Sequence, residues 1–317
     1  MAYGVTELLT TQTGDPMLEA KLHDGSSIEV EVHGTGPTVL LPVNPRPAEG
    51  AQADGMRKWG MDPALGRSLI EGLSDAFQVV AFDYEGHLMA MPRAETLTPA
   101  TITADLLAVA DAVGADRFAY YGYSWLALSG LQLALRTDRL SALVMGGFPP
   151  MDGPYAGMLK VTMATHEAAA AAASTPKAQQ APSDQMWGGQ ASDDQAWGDQ
   201  AAGDFDWSTV EVTLTEPQTR QFATLYQSLQ DFDDRTAQPQ ITCPRLCFVG
   251  STDEISYGER WGDVHISLAG PIINHRTELE ALGWDVHVLD GLDHTQAMQP
   301  THVLPILRPW LLSQAGR

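Results

Sequence analysis

The residues best suited to chemistry in this 317-residue chain are Ser124, Asp253 and His294, which stand at or just beyond the ends of the runs RFAYYGYS, PRLCFVGSTDE and DVHVLDGLDH. Serine is a weak nucleophile until a base takes its proton. Histidine suits that task because an unperturbed pKa of about 6.5 lets it accept the proton and return it to a leaving group near neutral pH. A carboxylate that accepts the imidazole Nδ1 hydrogen holds the tautomer and stabilises the imidazolium as it forms. Two further histidines compete less well: His287 lies inside the third run, and His302 lies within the closing helical segment.

The elements that must position these residues alternate in type. MLEAKL and SSIEVEVHG, separated by HDG, predict an antiparallel hairpin that leads through GTGP into the buried strand TVLLPV. A helix is expected near Pro63 to Leu73, then a strand in QVVAFDY that ends in a polar loop, EGH. TITADLLAVADAVGA reads as a helix with threonine at its start and glycine near its end. RFAYYGYS, WLALSGLQLALRT and SALVMGGF continue as strand, helix and strand. The fold class is therefore α/β, a mostly parallel sheet with helices on both faces. In open sheets of this kind ligand sites lie beyond the C-terminal strand ends, where Ser124, Asp253 and His294 all fall.

The alternation stops after FPPMDGPY and resumes at PRLCFVGSTDE, followed by a helix in ISLAGPIINHRTELEALG, the DVHVLDGLDH strand and the closing helix QPTHVLPILRPWLLSQ. This divides the chain into a core at 1–148 and 237–317 and an insertion at 149–236. The insertion opens on an alanine-rich helical stretch. It then repeats DQMWGGQ, DQAWGDQ and DFDW at ten-residue spacing before the polar helix TEPQTRQFATLYQSLQDFDD. The repeat carries too little aliphatic content for a core of its own, so Trp187, Trp197 and Trp207 are expected to bury against the main domain or a ligand.

On these residues the chain resembles the α/β-hydrolase superfamily across nearly its whole length, with the insertion where that family places its cap and with the family's order of serine, acid and histidine. The resemblance implies that YYGYSWLALSG forms the nucleophile turn, with Gly122 as the small residue before Ser124; the family's second small residue is replaced by Leu126, and the next glycine is Gly130. GSTDE matches the glycine-to-aspartate spacing of the acid loop and implies Asp253, with Glu254 beside it. Asp152 in FPPMDGP is the rival that other branches of the family use. The implied oxyanion donors are the Trp125 amide and a group from LLPVNPRP, where Pro45 has no N–H, so Asn44 is preferred and the Arg46 amide comes next. FDYEGHLMAMP resembles a loop of mainly architectural role, with Asp83, Gly86 and His87 in place and Glu85 where the family has arginine.

Composition narrows the partners. Forty acidic against eighteen basic residues, a net charge of −22, would repel nucleic acid and anionic lipid. No apolar run approaches the ~18–20 residues needed to cross a bilayer, and the opening MAYGVTELLTTQTGDP has neither part of a secretory signal, so a cytoplasmic location is expected. Cys243 and Cys247, read on one strand, lie too far apart for a disulfide, and no spacing suggests zinc. No cofactor or metal is implied. The expected activity is hydrolysis of a carboxylic ester or related acyl compound through an acyl-enzyme, on a small, mostly apolar, uncharged substrate facing Tyr123 and Trp125. Amide, carbon–carbon or lactone cleavage, a cofactor-free lyase reaction, and a ligand-binding protein with a hydrolase shell remain as alternatives.

Overall fold

The computed structural model describes residues 18–58, 60–174 and 214–315; Trp187, Trp197 and Trp207 lie outside them. The chain opens with β1 (Leu18–Lys21) and β2 (Ser27–His33), an antiparallel hairpin, and continues through β3 (Thr38–Leu41), α1 (Gly50–Lys58), α2 (Leu65–Leu73) and β4 (Gln78–Ala81). Then come α3 (Tyr84–Ala90), α4 (Pro99–Ala112), β5 (Phe118–Tyr123), α5 (Trp125–Ala134) and β6 (Leu140–Gly146). After β6 the described chain forms α6 (Tyr155–Ser174), α7 (Glu216–Gln227) and α8 (Asp234–Ala237) before it re-enters the sheet at β7 (Arg245–Gly250). A two-stranded excursion, β8 (Glu254–Tyr257) and β9 (Val264–Ser267), precedes α9 (Ala269–Asn274), α10 (Arg276–Ala281), β10 (Trp284–Leu289), α11 (His294–Ala297) and α12 (Pro300–Ala315).

The main sheet has the order β1-β2-β4-β3-β5-β6-β7-β10, antiparallel at the hairpin end and parallel from β4 onward. Alternation along β5 decides which core each side chain joins. Phe118 and Tyr120 pack on one face with Leu106 and Val109 of α4 and Leu131 of α5. Ala119 and Tyr121 pack on the other with Leu69 and Leu73 of α2 and Val303 and Leu307 of α12. The period of two thus seals the sheet on both sides with apolar layers. α4 begins where Thr98 and Thr101 cap each other's backbone N–H and Pro99 occupies the first turn, whose N–H groups have no helical acceptor.

Three local expectations change. EGH belongs to α3 rather than to a loop, because Asp83 accepts the Gly86 N–H and nucleates a turn immediately after β4. The segment read as one helix from Ile266 contains β9, α9 and α10; Ile255 and Ile266 are buried, and a Cβ on Gly157 of α6 would lie 2.4 Å from Ile266 Cδ1. The β8–β9 pair thus gains its apolar cover from a helix distant in sequence. Cys243 precedes β7 instead of sharing a strand face with Cys247, and both thiols are free.

α7 is bound to the core by its polar side chains. Gln218 Nε2 donates to Met89 O (2.8 Å), Gln221 Nε2 to Leu88 O (3.2 Å) and Thr224 Oγ1 to Ala94 O (2.5 Å), while Gln221 Oε1 accepts the Arg93 N–H (3.1 Å). Among the described residues no helix is long and apolar enough to cross a membrane.

Candidate active site

Ser124 stands between the last residue of β5 and the first of α5, at φ 57° and ψ −131°. A non-glycine residue adopts this backbone at a cost of about 1–3 kcal/mol, so the surrounding structure must enforce it. The Ser124 N–H donates to Gly146 O of β6 (2.8 Å), and its carbonyl accepts the Ala127 N–H (2.9 Å). Strand and helix backbones meet closely here: a Cβ on Gly122 would lie 2.4 Å from Leu126 O. That carbonyl also accepts the Tyr120 hydroxyl at 2.8 Å. Leu126 therefore does not widen the turn; its side chain joins the buried core, and only its backbone faces Gly122.

The imidazole and its acid come from two loops that are laced together. Thr252 N–H donates to Leu292 O (3.1 Å), Ser251 N–H to Leu289 O (2.8 Å) and Gly291 N–H to Ser251 Oγ (2.8 Å). Gly250 makes this approach possible, since a Cβ there would lie 2.1 Å from Leu292 O. His294 opens α11, whose N-cap Asp293 accepts the Gln296 N–H (2.8 Å) while Gln296 Oε1 accepts the Asp293 N–H (3.2 Å). His294 Nδ1 lies 3.0 and 2.9 Å from the two carboxylate oxygens of Asp253, which is fully buried, whereas the His294 side chain keeps 19% exposure. With Nδ1 held by the carboxylate, Nε2 is the nitrogen left to exchange protons.

The other acid candidates are engaged elsewhere. Asp152 Oδ2 is 2.6 Å from Arg235 Nη2 and 3.2 Å from His275 Nε2, on an exposed surface. Glu254 lies on β8 and meets His265 Nε2 at 2.9 Å. His287 is exposed on β10, where partial desolvation lowers its pKa, and His302 is exposed on α12. His87 Nε2 is 3.1 Å from Ser26 Oγ, so it braces α3 against the turn of the first hairpin.

The Trp125 N–H lies in the first turn of α5, where amides have no intrahelical acceptor. On the loop after β3, Asn44 Oδ1 accepts the Arg46 N–H at 2.9 Å, which turns that amide back onto its own loop and leaves Asn44 as the remaining candidate of the two. The Trp125 indole packs at 6.2 Å from the Tyr84 ring and at 5.4 Å, edge-on, from Phe222 of α7, and its Nε1 donates to Glu85 Oε1 at 3.3 Å. Phe222 and Glu85 are contacts that the sequence reading did not assign to this region. Glu85 stands where the resembling family has arginine, and that substitution was the available signal. Tyr123, expected to line a pocket, instead donates its hydroxyl to His294 O at 2.6 Å.

No protein-family model matches the chain, and no curated protein matches it. Solved structures do. An esterase from Thermogutta terrifontis, in its malate-bound form, is 17% identical with a TM-score of 0.54, covering 95% of this chain and 99% of its own. An enol-lactonase from Burkholderia xenovorans LB400 is 15% identical with a TM-score of 0.52, covering 94% of this chain and 100% of its own. The bottromycin epimerase BotH, in complex with bottromycin A2, is 15% identical with a TM-score of 0.51, covering 95% and 98% respectively. With the sheet order, the crossing helices and the insertion after β6, these likenesses establish the architecture: the chain has the α/β-hydrolase fold.

Proposed function

We propose that the protein is a hydrolase that cleaves a carboxylic ester or related acyl compound through an acyl-enzyme on Ser124. The observation that carries this reading is the pairing of a strained serine turn at φ 57° with a partly exposed imidazole whose Nδ1 meets a buried carboxylate. Ser124 Oγ attacks the acyl carbonyl while His294 Nε2 takes its proton, and the imidazolium is stabilised by Asp253. The Trp125 amide and a donor from Asn44 receive the developing oxyanion. His294 then protonates the leaving alcohol, and a water deprotonated by His294 releases the acid and restores Ser124. Trp125, next to Ser124 in sequence, and Phe222 pack edge-on where α5 meets α7, an apolar aromatic setting that suits a small, mostly apolar, uncharged substrate. In this reading α6 and α7 belong to a cap over the site.

A fluorophosphonate probe and short p-nitrophenyl esters test the proposal. Labelling is expected at Ser124, and Ser124→Ala and His294→Ala should each lower kcat by about 10⁴-fold or more. Labelling at another residue, or unchanged turnover in Ser124→Ala, rules the reading out. Clean labelling without ester turnover favours amide, carbon–carbon or lactone chemistry on the same triad, which the fold accommodates equally well. Neither labelling nor turnover favours a ligand-binding protein.

A further inference from the structure

We infer that Tyr123 is a positioning residue that locks the base loop onto the nucleophile turn. The inference rests on the functional reading above, and three observations converge on it. The first is a bond: Tyr123 Oη donates to the backbone carbonyl of His294 at 2.6 Å, across 171 positions of sequence. The second is a ring contact: the Tyr123 and His294 rings lie 5.0 Å apart at 50°, with Phe248 of β7 6.0 Å behind the tyrosine.

The third is a slot built for this ring. β6 ends at Gly146 and Gly147 follows it; a Cβ on Gly146 would lie 2.6 Å from Tyr123 Cδ2, and one on Gly147 would lie 2.5 Å from Cζ. The double glycine in SALVMGGF thus clears the space that the phenol occupies. No substrate contact is needed to explain this side chain.

The consequence for the reaction follows from the chain itself. Tyr123 immediately precedes Ser124, so the group that grips His294 is covalently next to the nucleophile. Asp253 holds the imidazole at Nδ1, and Tyr123 holds the same residue at its carbonyl; two fixed points leave the ring little freedom to swing. Burial, reinforced by the negative charge of Asp253, keeps the phenol's pKa well above its ordinary value. The hydroxyl therefore stays protonated and remains a donor.

Tyr123→Phe keeps the ring and removes the donor, and two readouts are taken on it. With p-nitrophenyl esters, kcat per folded molecule should fall about 10- to 100-fold, the scale of a misaligned base, while KM changes by less than about twofold. By proton NMR, the far-downfield resonance of the His294 Nδ1 proton shared with Asp253 should be visible in the wild type and broadened by exchange in the variant.

Wild-type kcat in Tyr123→Phe beside an inactive Ser124→Ala overturns the inference and leaves the functional reading intact. A lower kcat with an unchanged Nδ1 resonance overturns it as well, because the tyrosine would then be acting on something other than the base. If Ser124→Ala retains turnover, the functional reading fails, and with it a catalytic role for this lock; the resonance in Tyr123→Phe still reports whether the phenol orders His294.

Discussion

Three histidine–aspartate pairs occur among the described residues, and they are alike in distance but different in what surrounds them. His294 meets Asp253 at 2.9 Å, His23 meets Asp105 at 2.7 Å and His275 meets Asp152 at 3.2 Å. Asp253 and Asp105 are both fully buried, whereas Asp152 is 42% exposed. Burial alone does not separate the first two. Their neighbours do.

Asp105 spends its charge on structure. Its Oδ1 accepts the His23 N–H at 3.0 Å, its Oδ2 accepts the Tyr84 hydroxyl at 2.7 Å, and the Arg93 guanidinium pairs with the same oxygen. Arg93 Nε in turn lies 2.8 Å from Asp24 Oδ2, and the Arg93 N–H reaches Gln221 of α7. The cluster thus ties together the first hairpin, α4, the loop after α3 and the inserted helices. Asp253 has no such cation: among the described residues its ion pair is with His294. A buried carboxylate whose charge is not already neutralised can stabilise an imidazolium, and one neutralised by arginine cannot do so to the same degree. In the proposed reading, a histidine–aspartate contact becomes catalytic machinery through what is withheld from the carboxylate.

The largest test of this contrast is Asp253→Asn, which keeps the shape of the pair and loses the charge. Its kcat should fall by about 10⁴-fold, with thermal stability little changed, as read by ester kinetics and calorimetry. Asp105→Asn should do the reverse. Taking one of its two carboxylates from the buried Arg93 should cost about 3–5 kcal/mol of stability in a denaturant titration, with kcat of the folded fraction preserved. A loss of kcat in the second variant that matches the first would erase the distinction drawn here.

Acid should find the structural cluster. Burial would raise the Asp24 pKa, but hydrogen bonds from the Ser26 side chain and backbone and the charge of Arg93 outweigh it and bring the value from 3.8 to about 2. The folded state therefore holds this proton less readily than the unfolded chain. The stabilisation is complete above the unfolded value and is lost as pH falls through 3.8 towards about 2. Melting temperatures between pH 5 and 2 should decline more steeply for the wild type than for Asp24→Asn. The smallest effect is expected at the exposed pair: Asp152→Asn should change stability by less than about 1 kcal/mol and leave kcat within experimental error.

Much of the candidate site was legible before any tertiary information. Ser124, Asp253 and His294 follow from the ends of runs that read as buried strands, and the D-x-x-Q spacing from Asp293 to Gln296 is a helix-start signal immediately at His294. The β8–β9 hairpin was not legible, because four-residue strands whose apolar cover comes from α6 carry little periodicity of their own. α3 was hidden for a related reason, since seven residues after a strand leave room for a cap and little pattern.

What the chain determined by itself was the order of strands and helices, the residues at their ends and the double glycine after β6, all of which are local matters of period, capping and small side chains. The tertiary structure alone decided which carboxylate faces which imidazole. Asp152 and Asp253 both follow strand ends, yet only a fold that laces the loops after β7 and β10 together brings Asp253 to His294, while Asp152 turns to Arg235 and His275. It likewise gave Tyr123, expected as a pocket wall, a hydrogen bond to the His294 carbonyl. The physical reason is that hydrogen bonds spanning 41 and 171 residues are set by how the sheet stacks its strands, which no local pattern encodes.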